Sequence, residues 1–160
     1  MQLSINQLDA IDRKLLEALA ENGRASHQQL SESIGRSPTA IARRQRQLED
    51  SGIIRGYSAD MDLAGLGYGV TIHLKITLAS QSNEMLDAFE RAIAASPSVI
   101  QCDLMSGSDD YYVTVMVRSL DHFAQIHRDE LSRLPGVVRM ESGFVLRKVV
   151  EPRLPPGWAD

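Results

Sequence analysis

The chain has 160 residues, of which 43% are hydrophobic and 24% charged, a balance that excludes a disordered polymer and fits one domain or two small ones. Its formal net charge of -4 excludes sequence-blind binding of nucleic acid by the whole surface. No apolar run approaches the roughly 18 residues of a membrane span. The start, MQLSINQLDAIDRKLL, has no basic segment followed by an apolar run and a small-residue cleavage site, so no secretory signal is expected. Cys102 is the only cysteine, which suits a reducing cytoplasm.

Three helices are expected first. Leu8, Ile11, Leu15, Ala18 and Leu19 recur at three- and four-residue steps behind Asp9, a candidate N-cap, and Gly23 is the expected stop. Ser26-His27-Gln28-Gln29 has the form of a capping box, with Leu30 and Ile34 as the apolar stripe and Gly35 as the stop. Ser37-Pro38 restarts a helix, Ser as N-cap and Pro where its missing N–H costs nothing, and Gly52 ends it. Two short helices this close, with a glycine between them, predict a helix-turn-helix. IIRGYSADM reads as a short strand that would make the unit winged, and residues 61–67 read as a linker.

The period then changes from helix to strand. Val70, Ile72, Leu74, Ile76 and Leu78 alternate with polar residues, predicting a strand with one buried face. Leu86, Phe89 and Ile93 mark a helix. VIQCDLM alternates again, Cys102 with Ile100 and Leu104, so Cys102 reads as a small buried side chain rather than a reactive thiol. YYVTVMVR is another strand, Phe123, Ile126, Leu131 and Leu134 mark another helix, and VVRMESGFVLRKVV is the expected last strand. Strand-helix-strand twice predicts an α+β, ferredoxin-like βαββαβ domain over 68–150, followed by a tail at 151–160. The sheet face bearing Thr71, His73 and Lys75 beside Tyr112 and Met116 is too mixed for plain solvent surface and is expected to pack against another subunit.

Charge is unevenly placed. Residues 1–60 hold 8 Lys/Arg and 8 Asp/Glu, whereas residues 61–160 hold 9 and 13. From Arg36 to Arg55 five arginines face only Glu49 and Asp50. With Ile41 at the centre of the buried face and 100° per residue, Leu48 falls beside it, and Thr39, Arg43, Arg46 and Asp50 fall opposite, with Ala40 and Gln47 on a flank. Arginine pairs with guanine edges, glutamine with adenine, and a threonine methyl touches thymine. The helix start near Ser37 offers N–H groups to phosphate. Arg36, Ser37, Thr39, Ala40, Arg43, Arg44, Arg46 and Gln47 are therefore the candidate contacts to double-stranded DNA.

With these pieces in order, the chain resembles the Lrp/AsnC family, the feast/famine transcription regulators. LDAIDRKLLEALAENGRAS, LSESIGRSPTAIARRQRQLEDSGIIRGYSA and LMSGSDDYYVTVMV carry the resemblance over nearly the full length. It implies a DNA-binding domain over 1–60 joined to an effector-sensing domain, assembled as dimers and often as octamers. It also implies an amino-acid effector bound between subunits near a G-x-x-D loop. Gly107, Ser108, Asp109, Asp110, Tyr111 and Ser142 are the corresponding candidates, the two aspartates for an α-amino group and the backbone near Gly107 for a carboxylate. Two positions depart from the family: Gln45 on the inner side of the third helix, and Gly143 after Ser142.

Two other classes compete. A small ferredoxin-like enzyme needs convergent catalytic groups or a metal site. His122 and His127 lie about 140° apart around a helix, His27 and His73 lie in different domains, and no phosphate loop or nucleophile motif appears, so neither enzyme activity, cofactor nor metal is expected. An interaction module that assembles without sensing a ligand is the third reading.

Overall fold

The computed structural model describes residues 8–150 together with Leu154, Pro155 and Trp158. The described residues to Asp60, with Leu154, Pro155 and Trp158, form one compact unit, and Met61–Val150 form a second.

The first unit is three helices, α1 (Ala10–Glu21), α2 (His27–Ile34) and α3 (Pro38–Asp50). Each begins where a side chain takes up orphan N–H groups. Asp9 accepts from the N–H of Ile11 at 2.8 Å and of Asp12 at 2.9 Å, while the Asp12 carboxylate accepts from the Asp9 N–H. Ser26 and Gln29 form the expected reciprocal box, and Ser37 caps α3 through the Ala40 N–H at 3.3 Å. Gly35 ends α2 with φ 73°, a left-handed conformation that costs glycine little. Helix α1 stops at Asn22, one residue before the expected Gly23. The glycine serves clearance instead, since a Cβ there would lie 3.3 Å from the Tyr57 ring. Leu15, Leu19, Leu30, Ile41 and Leu48 bury together, with Ile53 and Ile54 packed against them.

The strand expected at IIRGYSADM does not form. The Ile54 N–H turns back to the Leu48 carbonyl at 3.1 Å, and the following residues run without a ladder. A strand needs a partner strand for its backbone groups, and among the described residues no strand pairs with this segment.

The second unit is β1 (Val70–Leu78), α4 (Asn83–Ala94), β2 (Val99–Leu104), β3 (Tyr111–Val117), α5 (Leu120–Asp129) and β4 (Val137–Phe144). The sheet order is β2-β3-β1-β4 with every neighbouring pair antiparallel. Each helix thus connects two parallel strands with one strand between them, the split βαβ arranged twice. Ile72, Leu74 and Ile76 of β1 meet Val115, Val113 and Tyr111 of β3, and this face buries Phe89 and Ile93 of α4 and Ile126 of α5.

Three expectations need correction here. Helix α5 ends at Asp129, and Leu131–Arg133 is a single 3-10 turn that still buries Leu131. The break falls at Glu130, whose carboxylate is held by the hydroxyls of Ser96 and Ser98. Burial alone would raise the Glu130 pKa, but the two serines outweigh it and hold it below its ordinary value. Strand β4 stops at Phe144 rather than continuing to Val150, and the Val145 N–H still donates to the Thr71 carbonyl. In β2 a bulge between Val99 and Gln101 breaks the alternation, leaving Ile100 exposed while Cys102 packs on the core. Burial pushes the Cys102 thiol up to about 11, so it stays protonated. Within the segment read as a linker, the N–H groups of Leu66, Gly67 and Tyr68 donate back to the carbonyls of Asp62, Ala64 and Leu63, winding it into turns. Among the described residues no helix is long and apolar enough to cross a membrane.

Candidate nucleic-acid interface

Helix α3 is mounted by its apolar back. Ile41 and Leu48 are 0% and 1% exposed, and burying two such side chains contributes about 3–6 kcal/mol to holding the helix in place. That fixes what the front presents. Ser37, Thr39, Arg43, Arg46 and Gln47 are exposed and Ala40 is half-buried on the flank. Arg36, just before the cap, is exposed and donates to the Gly35 carbonyl at 3.1 Å.

Arg44 is not part of this front. Its guanidinium lies 2.6 Å from Asp12 and 2.8 Å from Asp9, tying the middle of α3 to the start of α1. The Asp12 hydrogen bond, chiefly, raises the Arg44 pKa. Asp9 is lowered, first by the Asp12 N–H and then by Arg44. The signal was present in the sequence: Arg44 is three residues from Ile41 and four from Leu48, on the inward side of the helix.

Gln45, also on the inner side, finds polar partners. Its amide donates to the Tyr57 hydroxyl at 2.8 Å and to Glu49 at 3.0 Å, and the Tyr57 hydroxyl donates to Glu49 at 2.8 Å. Among the described residues its carbonyl oxygen has no partner. The Tyr57 hydroxyl, then Gln45, lowers the Glu49 pKa, and burial with the Glu49 contact raises that of Tyr57. Tyr57 was not singled out by the sequence, because its partner lies 12 residues away in an irregular segment.

The loop between β2 and β3 separates the effector candidates. Asp110 is 4% exposed, and its carboxylate accepts from the Leu78 N–H at 2.7 Å and the Gln81 amide at 2.6 Å. Its backbone closes the loop, accepting from the Met105 N–H and donating to the Ile76 carbonyl. Tyr111 is buried against Phe89, with its hydroxyl on Glu90 at 2.8 Å; burial and Glu90 push its pKa upward. Asp109 remains at the surface side of the loop, 3.3 Å from Arg139 of β4, and Ser108 donates to it. Gly107, with φ 149°, forms the exposed tip. Ser142 is exposed and pairs with Leu74, four residues along β1 from the Leu78 that holds Asp110. That is a rise of roughly 13 Å, so one chain does not bring Ser142 and Asp110 together. Arg139 is the charged neighbour that sequence reading missed; its position beside the loop follows from the Thr77↔Arg139 register.

Among the described residues no helix packs on the opposite sheet face. His73 stacks on Tyr112 with centroids 5.1 Å apart, and its Nδ1 lies 3.1 Å from the Thr114 hydroxyl. Among the described residues no group of three His, Cys, Asp or Glu side chains is placed to hold a metal ion.

Residues 8–55 match the model of a winged helix-turn-helix DNA-binding domain, and residues 71–155 match that of the Lrp/AsnC ligand-binding domain. The Bkd operon transcriptional regulator of Pseudomonas aeruginosa is 35% identical over 94% of this chain and 98% of its own length. The leucine-responsive regulatory protein of Rhizobium meliloti is 33% identical over 89% and 92%. Among solved structures, a transcriptional regulator from Neisseria meningitidis in complex with L-Met superposes with TM-score 0.87 at 30% identity, covering 92% of this chain and 96% of that one. Escherichia coli AsnC gives 0.81 at 27% identity, covering 92% and 97%. With two domain matches in this order and relatives aligned nearly end to end, the chain belongs to the Lrp/AsnC family.

Proposed function

We propose that this chain is a sequence-specific DNA-binding transcriptional regulator whose DNA binding is modulated by a small effector held by the second unit. The observation that carries the reading is α3: capped at Ser37, anchored by Ile41 and Leu48, and presenting Thr39, Arg43, Arg46 and Gln47 outward. Such a helix enters a major groove with its N-terminal half against base edges, while Arg36 and the cap region meet the backbone. Arg44 serves as the strut behind it. Selection of binding sites from a random DNA pool tests the reading; recovery of no preferred sequence would refute it.

An amino acid is the effector class we favour, because one relative is named leucine-responsive and one structural neighbour holds L-Met. In this chain Asp109 and Arg139 form a surface pair of opposite charges that suits an α-amino and an α-carboxylate group, with Gly107 and Ser108 at the tip. Asp110 and Tyr111 support the loop from behind. Ser142 joins the site only if a second copy supplies it, which is consistent with an effector bound between subunits. The His73–Tyr112 face is the surface we assign to pairing of two copies, and dimers of this kind assemble further. Thermal melts with each amino acid at millimolar concentration test this: a specific ligand raises the midpoint by mass action. No shift with any of them would favour assembly without amino-acid sensing, the reading to which the fully engaged Asp110 lends support.

A further inference from the structure

Leu154 and Trp158 belong to the same compact unit as the three helices. Leu16, Leu19 and Ala20 of α1, with Ile53, Ile54, Gly56 and Tyr57 after α3, line a cavity of about 340 Å³, and Leu154 and Trp158 complete its wall. This lining is almost wholly apolar. Trp158 is partly buried there, and it is the only tryptophan in the chain. A tryptophan that covers leucine and isoleucine side chains removes a large apolar area from water. The same cavity contains Tyr57, whose hydroxyl is bonded to Gln45 and Glu49 of α3.

We propose that Leu154 and Trp158 act as an intramolecular clamp on the segment Ile53–Tyr57, and through Tyr57 on the C-terminal half of the recognition helix. The clamp does not depend on which effector is bound or on whether one exists. Two side chains on one groove leave the cavity partly open, so the contact is suited to release rather than to permanent core packing.

The sole tryptophan makes the test direct. In the full-length chain, Trp158 emission should be blue-shifted from that of N-acetyl-tryptophanamide, and acrylamide should quench it roughly half as fast, because one face of the indole is shielded. Ala20→Arg, a change at an exposed position on the groove rim, should return both readings to the free value while the helical circular dichroism is unchanged. Trp158→Ala should quicken amide exchange at Ile53–Tyr57 and leave α4 and α5 as they were. Free-like emission in the unaltered chain would overturn the clamp. So would shielding that Ala20→Arg does not change, or unchanged exchange at Ile53–Tyr57 in Trp158→Ala.

Discussion

The recognition helix and the β2–β3 loop spend their charged groups in opposite ways. On α3 one arginine of the cluster, Arg44, is tied into the fold, and Arg43 and Arg46 stay exposed at the front. In the loop the aspartate that the sequence makes most conspicuous, Asp110, is buried and committed to two hydrogen bonds, and Asp109, only partly exposed, is paired with Arg139. A charge-rich segment becomes a binding surface only to the extent that its own fold leaves the charges unspent. On α3 an apolar back does the anchoring, so Arg43 and Arg46 are left exposed. In the loop no apolar side chain anchors the tip, and a carboxylate has to do it.

Breaking the anchors should therefore have different signatures in the two regions. Leu48→Ala removes the apolar back of α3 and should destabilise the first unit by about 3 kcal/mol, read from denaturant unfolding, with DNA binding lost alongside. Asp110→Ala leaves the Leu78 N–H without its acceptor and should lower the stability of the second unit by about 2 kcal/mol. That loss should appear with no effector present; a protein of unchanged stability would mean that Asp110 is free for ligand. Arg43→Ala should weaken binding to a preferred DNA site by about 1–3 kcal/mol without moving the melting midpoint. Arg44→Ala should do the reverse, costing about 1 kcal/mol of stability by freeing α3 from Asp9 and Asp12 while changing sequence preference little.

The smallest effect concerns acid. Asp9 and Glu49 have folded pKa values below their ordinary 3.8 and 4.5, so the folded chain binds fewer protons than the unfolded one in that range. Their stabilisation is complete above pH 5 or so and disappears as pH falls through the lowered values. Tyr57→Phe removes the chief cause of the Glu49 shift, and should make the acid limb of a stability–pH curve shallower.

Much of this could be read before any coordinates. The caps at Asp9, Ser26 and Ser37 are local chemistry, in which a side chain and an N–H two or three residues away suffice, and they fall where the sequence places them. The alternation of Val70 to Leu78 likewise needs only one buried face. What escaped was decided by partners distant in sequence. The wing strand at IIRGYSADM has suitable residues but, among the described residues, no strand to pair with, and Ile100 was misplaced because a bulge is a property of two strands together. Gln45 is expected on the inner face of α3, and Arg44, counted among the DNA contacts, falls on that same side by angular arithmetic. Only the fold could name Asp9, Asp12 and Tyr57 as the groups that receive them.

The central claim is that the front of α3 reads base sequence while Arg44 only braces it. Binding titrations of the unaltered chain, Arg43→Ala and Arg44→Ala on a selected site and on random DNA, at one salt concentration, test it most directly. The account predicts that Arg43→Ala loses about ten-fold or more on the selected site and little on random DNA, with Arg44→Ala keeping the ratio between the two. Equal losses on both DNAs for Arg43→Ala, or a collapse of the ratio in Arg44→Ala, would contradict it.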